Sequence, residues 1–214
     1  MTFGQIYGQK KQCYCDKDTL MNNATVSSCK TRILKNKAKL YWQYNCDKIW
    51  LTLETINGKK VTLDEVPVEL YGYTYRLGFH FVKEFDKIIL FRSGCPANGP
   101  CIYTLIDKNT GKKIKELEQL ICINTDVTED KEYQFDFVIY YSENYEKLII
   151  YYVNTKKTLT IPFNAKRNNL TGIIPEQQFN KMNLVGNILT IYYTTTDNKE
   201  LNLKINLTNK KYSN

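Results

Sequence analysis

The sequence has a single histidine, no Gly-x-Ser-x-Gly segment, no glycine-rich loop leading into a helix and no apolar run longer than a strand. One histidine, His80, leaves one base for a nucleophile–histidine–acid arrangement, and without a nucleophile elbow that base has no partner to activate. His80 is read as a surface or sheet-edge residue, opposite in alternation to Leu77, Phe79 and Phe81. Ser93 sits beside a predicted disulfide loop, not on an elbow. Gly94 to Pro100 carries two prolines and precedes no helix, so it is no phosphate cradle. The densest apolar stretch, Leu148 to Val153, is strand-sized and far short of the roughly 18 to 20 residues of a membrane-spanning helix. These absences predict no transmembrane segment, no cofactor, no metal and no catalytic residue. The carboxylate pairs Asp64-Glu65 and Glu129-Asp130 lie in polar, turn-like stretches and keep open a hydrolase working through an unrecognised carboxylate pair.

What is present is ordinary globular material: 214 residues, 43 % hydrophobic and 24 % charged, enough to bury a core without staples. Thirty basic residues against 22 acidic ones give a net charge of +8. That balance favours an acidic partner. Lysines come in pairs at predicted turns, as in Gly58-Lys59-Lys60, Gly111-Lys112-Lys113 and Lys156-Lys157, where charge is solvated. No basic helix or nucleic-acid motif accompanies them, and no nucleic-acid partner is expected. Lys35, Lys37 and Lys39 alternate, so a strand there would present three cations on one face.

Seven cysteines, Cys13, Cys15, Cys29, Cys46, Cys95, Cys101 and Cys122, are scattered through the chain. That usage fits disulfides in an oxidising compartment better than a zinc cage, which needs a close Cys-x-x-Cys pair or nearby histidines. The pair read from sequence is Cys95 with Cys101, because two prolines and a glycine bend the chain between them. An odd count leaves one thiol over. Residues 1–12 are read as the remnant of an export signal or a disordered tail, and residues 13–214 as a single domain.

The dominant period is two. Ile49, Leu51 and Leu53 alternate with polar or amphipathic neighbours, as do Leu77, Phe79 and Phe81, and Leu201, Leu203, Ile205 and Leu207. These are half-buried strands. Phe135 to Tyr141 and Leu148 to Val153 are apolar on both faces and read as central strands covered on each side. A strand–polar turn–strand pattern recurs near residues 48–61, 102–114, 148–159 and 189–201, at a spacing of about 40 to 55 residues. The expectation is an all-β fold of antiparallel hairpin meanders, about four repeats, propeller-like or a sandwich or barrel. Residues 164–183 are least strand-like, and Pro175 to Met182 is the one place for a short helix, with proline at its first position.

Aromatics gather near the lysine stripe: Tyr41, Trp42, Tyr44 and Trp50, with Lys35, Lys37 and Lys39, form the candidate binding surface. The segments Lys39-Leu40-Tyr41-Trp42-Gln43-Tyr44-Asn45-Cys46-Asp47 and Asp107-Lys108-Asn109-Thr110-Gly111-Lys112 resemble those of uncharacterised exported proteins of Bacteroidetes-type bacteria, over residues 13 to 122. The resemblance implies a periplasmic or extracellular address and carries no catalytic residue. The functional expectation is a non-enzymatic extracytoplasmic binding protein, an immunity-type inhibitor of an acidic secreted protein, with a glycan- or cell-wall-binding module as the alternative.

Overall fold

The structure is a computed structural model that describes residues 13–17, 29–94, 101–117, 120–121, 135–170 and 175–208. The expected export remnant at 1–12 and the thiol of Cys95 lie outside the described residues. The fold is all-β and antiparallel, in four small sheets, and the chain divides into two compact units, Met1–Gly78 and Phe79–Asn214.

The first unit holds one sheet in the order β1 (Arg32–Ile33), β2 (Lys39–Tyr44), β3 (Lys48–Glu54) and β4 (Lys60–Pro67). Ile49, Leu51 and Leu53 of β3 are all but inaccessible, as their alternation requires. β4 ends at Pro67, which has no N–H to give a ladder. A 3-10 turn (Val68–Tyr73) and a one-turn helix, α1 (Thr74–Leu77), follow. The N-terminal segment is tied to this sheet covalently. Cys13 bonds to Cys29 and Cys15 to Cys46, with Cα separations of 6.5 and 4.8 Å, both inside the range disulfides span. Cys13 also bridges Tyr44 in parallel at the edge of β2.

The second unit stacks three sheets in chain order. β5 (His80–Glu84), β6 (Ile88–Ser93), β7 (Ile102–Asp107) and β8 (Lys113–Leu117) form the first of these. The middle sheet is β9 (Phe137–Tyr141), β10 (Lys147–Tyr152) and β11 (Thr158–Pro162), and the last is β12 (Phe179–Val185), β13 (Ile188–Thr194) and β14 (Glu200–Asn206). The middle sheet is covered on both faces. Ile139, Leu148 and Ile150 pack with Leu189, Ile191 and Tyr193 of β13, while Val138 and Tyr151 pack with Leu90, Tyr103 and Leu105 of β6 and β7. That two-sided burial explains why β9 and β10 lack alternation.

The recurring pattern in the sequence is the closing hairpin of each sheet: β3–β4, β7–β8, β10–β11 and β13–β14. Each turn places one residue in the left-handed region, at Gly58, Gly111, Lys156 and Asn198. Glycine fits there freely and asparagine tolerably, so the repeats keep a geometry while losing a residue type.

Two expectations are corrected. Pro175 begins a single 3-10 turn, Pro175–Gln178, and the chain then becomes β12, so no two-turn helix forms. Phe179 decides this: it packs among Tyr141, Phe163 and Tyr193, and β12 gains a ladder with β13 that an isolated short helix cannot match. Leu77 ends α1 and is exposed, so the strand read through Leu77, Phe79 and Phe81 starts only at His80. Phe79 and Phe81 still act as a pair, stacked on and edge-on to Phe91 at 5.1 and 6.5 Å.

Candidate functional site

The pleat of the first unit's sheet sorts its side chains by parity. Across β2 and β3, Lys39 faces Glu54, Tyr41 faces Thr52 and Gln43 faces Trp50; β4 brings Lys60 opposite Glu54 from the other side. One face therefore carries Lys39, Tyr41, Gln43, Trp50, Thr52, Glu54 and Lys60. The other carries Leu40, Trp42, Tyr44, Ile49, Leu51 and Leu53.

On the polar face Glu54 is the hub. Lys39 Nζ lies 2.9 Å from its Oε1, and the Tyr41 hydroxyl donates to its Oε2 at 3.2 Å. The hydrogen bond from Lys39 holds the Glu54 carboxyl below its ordinary range, with Tyr41 and the field of Lys60 acting the same way. Burial pushes the Tyr41 phenol up, and the Glu54 carboxylate adds to that shift. Beside the hub, Trp50 Nε1 and Thr52 Oγ1 both donate to Gln43 Oε1, at 3.1 and 2.7 Å. Lys48 pairs with Glu65 at 2.7 Å and reaches over the Trp50 ring at 5.8 Å.

A cleft of about 500 Å³ opens over this hub, lined by Cys13, Cys29, Thr31, Lys39, Tyr41, Trp42, Glu54 and Lys60. Two lysines against one carboxylate leave a positive charge in excess. The donors available to an incoming group are the ammonium groups of Lys39 and Lys60 and the Thr31 hydroxyl. An anionic oxygen is what such a set binds.

The sequence-predicted surface is thus divided. Lys39, Tyr41 and Trp50 are together, and Tyr41 is buried under the hub with Trp50 half-buried. Trp42 and Tyr44 belong to the opposite face, in a cluster with Cys15, Ile49, Cys46, Val68 and Tyr71. Lys35 and Lys37 stand on no strand. They occupy the β1–β2 turn, where Leu34 and Ala38 close the hairpin and Lys37 takes a positive φ of 67°, so the three-cation strand face is not formed. Glu54 and Thr31 carry no site reading in the sequence, and Lys60 is read there only as a solvated turn charge. The Asn57-Gly58 turn was the signal for Glu54 and Lys60, because it sets Glu54 opposite Lys60 across a short hairpin.

Elsewhere, His80 lies half-buried on the edge strand β5, opposite Arg92. Ser93 is buried at the end of β6, opposite Ile102. Of the carboxylate pairs, Glu65 is held by Lys48 and Glu129-Asp130 lies outside the described residues. Cys15 Sγ, Cys46 Sγ and an Asp16 oxygen fall within 4.8 Å of one another, but the two sulfurs are joined and offer no thiolate. Cys101 is also disulfide-bonded; Cys95, its expected partner, is outside the described residues. Among the described residues no helix is long and apolar enough to cross a membrane.

No family model matches the chain, and no curated protein matches it.

Proposed function

We propose that this is a non-enzymatic binding protein of an oxidising, extracytoplasmic compartment, and that the Lys39–Glu54–Lys60 row receives an acidic group of a protein partner. The observation that carries the reading is the row itself: a carboxylate flanked on both neighbouring strands by lysines, at the floor of an open cleft. An acidic side chain entering the cleft meets an excess positive charge, with the Lys39 ammonium already held by Glu54. The interleaved disulfides Cys13–Cys29 and Cys15–Cys46 support the compartment, and the +8 net charge supports an acidic partner. In this reading the protein caps a secreted acidic protein in the manner of an immunity-type inhibitor. The cleft is presented by the first unit's own four-stranded sheet.

The test is saturable capture from the native secretome on protein produced in an oxidising compartment. Retention of an acidic protein that is lost in Lys39→Glu and Lys60→Glu, and kept in Lys181→Glu on β12, supports the reading. Capture that ignores both cleft substitutions overturns it. A glycan-binding reading draws on a separate observation, the Trp50 indole oriented by Gln43, which gives a flat ring beside an amide and a hydroxyl. It predicts retention on insoluble polysaccharide that falls in Trp50→Ala.

A further inference from the structure

Among the described residues, each sheet closes on an edge strand, β4, β8, β11 or β14. Open edges attract other strands, and proteins guard them with prolines, bulges, charges or shortness. β4 has Pro67 and a bulge against β3. β8 has a bulge against β7, and Lys113, Lys115 and Glu116 crowd its short span. β11 is five residues long and ends in Pro162. β14 has no proline, bulge or shortness to guard it: its seven residues, Glu200–Asn206, pair with β13 without a break, all but Leu203 and Ile205 are exposed, and its only charges are one of each sign, Glu200 and Lys204.

The hydrogen-bond phase of β14 is fixed at both ends. The Thr195 N–H donates to the Lys199 carbonyl, and the Leu207 N–H donates to the Asn187 carbonyl. Bonded pairs recur at every second residue. Leu201, Leu203 and Ile205 therefore turn their peptide groups to β13, while Glu200, Asn202, Lys204 and Asn206 turn theirs to the open edge.

We infer that β14 pairs antiparallel with β14 of a second copy of this chain, about a twofold axis through Asn202. The charge pattern commits the edge to that occupant. An isologous contact requires a self-complementary surface, and Glu200 and Lys204 carry opposite charges at equal distances from Asn202. In this register Asn202 faces Asn202 of the second copy, and Glu200 of each copy faces Lys204 of the other. All three positions have outward peptide groups, which gives about six main-chain hydrogen bonds. On the opposite side of the pleat Leu201 meets Leu203 of the second copy, continuing the apolar face beyond the edge. Moving the axis to Leu203 sets Glu200 and Lys204 against asparagines, so the ion pairs select the Asn202 register. The inference is independent of the cleft and of its partner.

Sedimentation equilibrium of the full chain tests it, with thermal unfolding of each variant as the control for folding. The wild type is expected as a monomer–dimer equilibrium. Lys204→Glu and Glu200→Lys each set like charges together twice and should weaken association at least roughly tenfold, with unfolding unchanged. The double reversal, E200K with K204E, restores opposite charges and should return association to within about threefold of wild type. A wild type that stays monomeric up to about 100 μM, a dimer indifferent to the single reversals, or a double reversal that fails to restore it would each overturn the inference. A monomer that takes up a foreign strand at β14 would overturn it as well.

Discussion

Lys39 and Glu54 stand directly opposite each other on β2 and β3 and close an ion pair at 2.9 Å. Because Lys39 is the largest cause of the lowered Glu54 titration, Lys39→Ala should move the Glu54 midpoint upward, toward an ordinary carboxylate, while Lys60→Ala moves it less. Carbon-detected NMR of the side-chain carboxyl reads this directly. The sign is that of a depressed acid: the pairing holds above the unfolded carboxylate range and fades as pH falls through the folded value. An unshifted midpoint in Lys39→Ala would remove Glu54 as the hub of the cleft.

The disulfides give a covalent prediction. Alkylation under denaturing conditions should find one free thiol among the seven cysteines, and peptide mapping should return Cys13 with Cys29 and Cys15 with Cys46. Cys15 and Cys46 are 31 residues apart in sequence, so replacing both with alanine should cost about 3 to 4 kcal/mol on the chain-entropy account. Both tryptophans belong to the first unit, which makes indole fluorescence in urea the measurement of choice. Seven alkylated thiols would return the compartment to question.

Lys108 makes the third prediction. It is almost wholly buried beside a largely buried Glu84 side chain, with its ammonium paired to that carboxylate and also donating to the Phe85 carbonyl at 3.2 Å. Lys108→Met strands the Glu84 charge and should destabilise by about 3 to 5 kcal/mol. Adding Glu84→Gln should recover much of the loss, since the buried charge is then gone. Urea unfolding followed by circular dichroism distinguishes the two cases. A single variant as stable as wild type would show that the pair is solvated.

A fourth concerns acid. Lys199 and Thr195 both hydrogen-bond the Asp197 carboxylate, at 2.7 and 2.6 Å, and hold it at about 2 rather than 3.8, the Lys199 bond being the larger cause. The turn into β14 is thereby secured at all pH values above the usual carboxylate range, and it loosens only as pH falls from there through about 2. Amide exchange of residues 195–199 should stay slow at pH 4 in the wild type. In Asp197→Asn it should already be fast there.

Much of the fold was legible because β structure with one wet face writes itself as alternation: Ile49, Leu51 and Leu53 announced β3, Asn57-Gly58 and Thr110-Gly111 announced two of the closing hairpins, and the polar turns between apolar strands announced the other two. The misread places share a cause. Leu77 continues the alternation of Phe79 and Phe81 on paper, yet Gly78 intervenes with Thr74 O and the Trp42 ring so near that a Cβ would lie 2.9 and 3.1 Å from them. A close approach of that kind is invisible to a periodicity. Lys35 and Lys37 alternate with Lys39 by accident of a turn whose left-handed position falls on a lysine. For the site, parity alone separated Tyr41 from Trp42. Both touch the cleft, but that Tyr41 meets Glu54 while Trp42 packs in the cluster of Cys15 and Ile49 on the other face is information about distant residues.

The two N-terminal disulfides interleave, with Cys15 inside the loop closed by Cys13 and Cys29, and Cys46 beyond it. Any single peptide-bond cut between Cys13 and Cys46 therefore leaves the chain in one covalent piece. A protease acting there would release nothing, and its work would show on a gel only after reduction. A nicked and an intact molecule would travel together through any non-reducing purification, so a cut in this segment is read by mass and not by mobility.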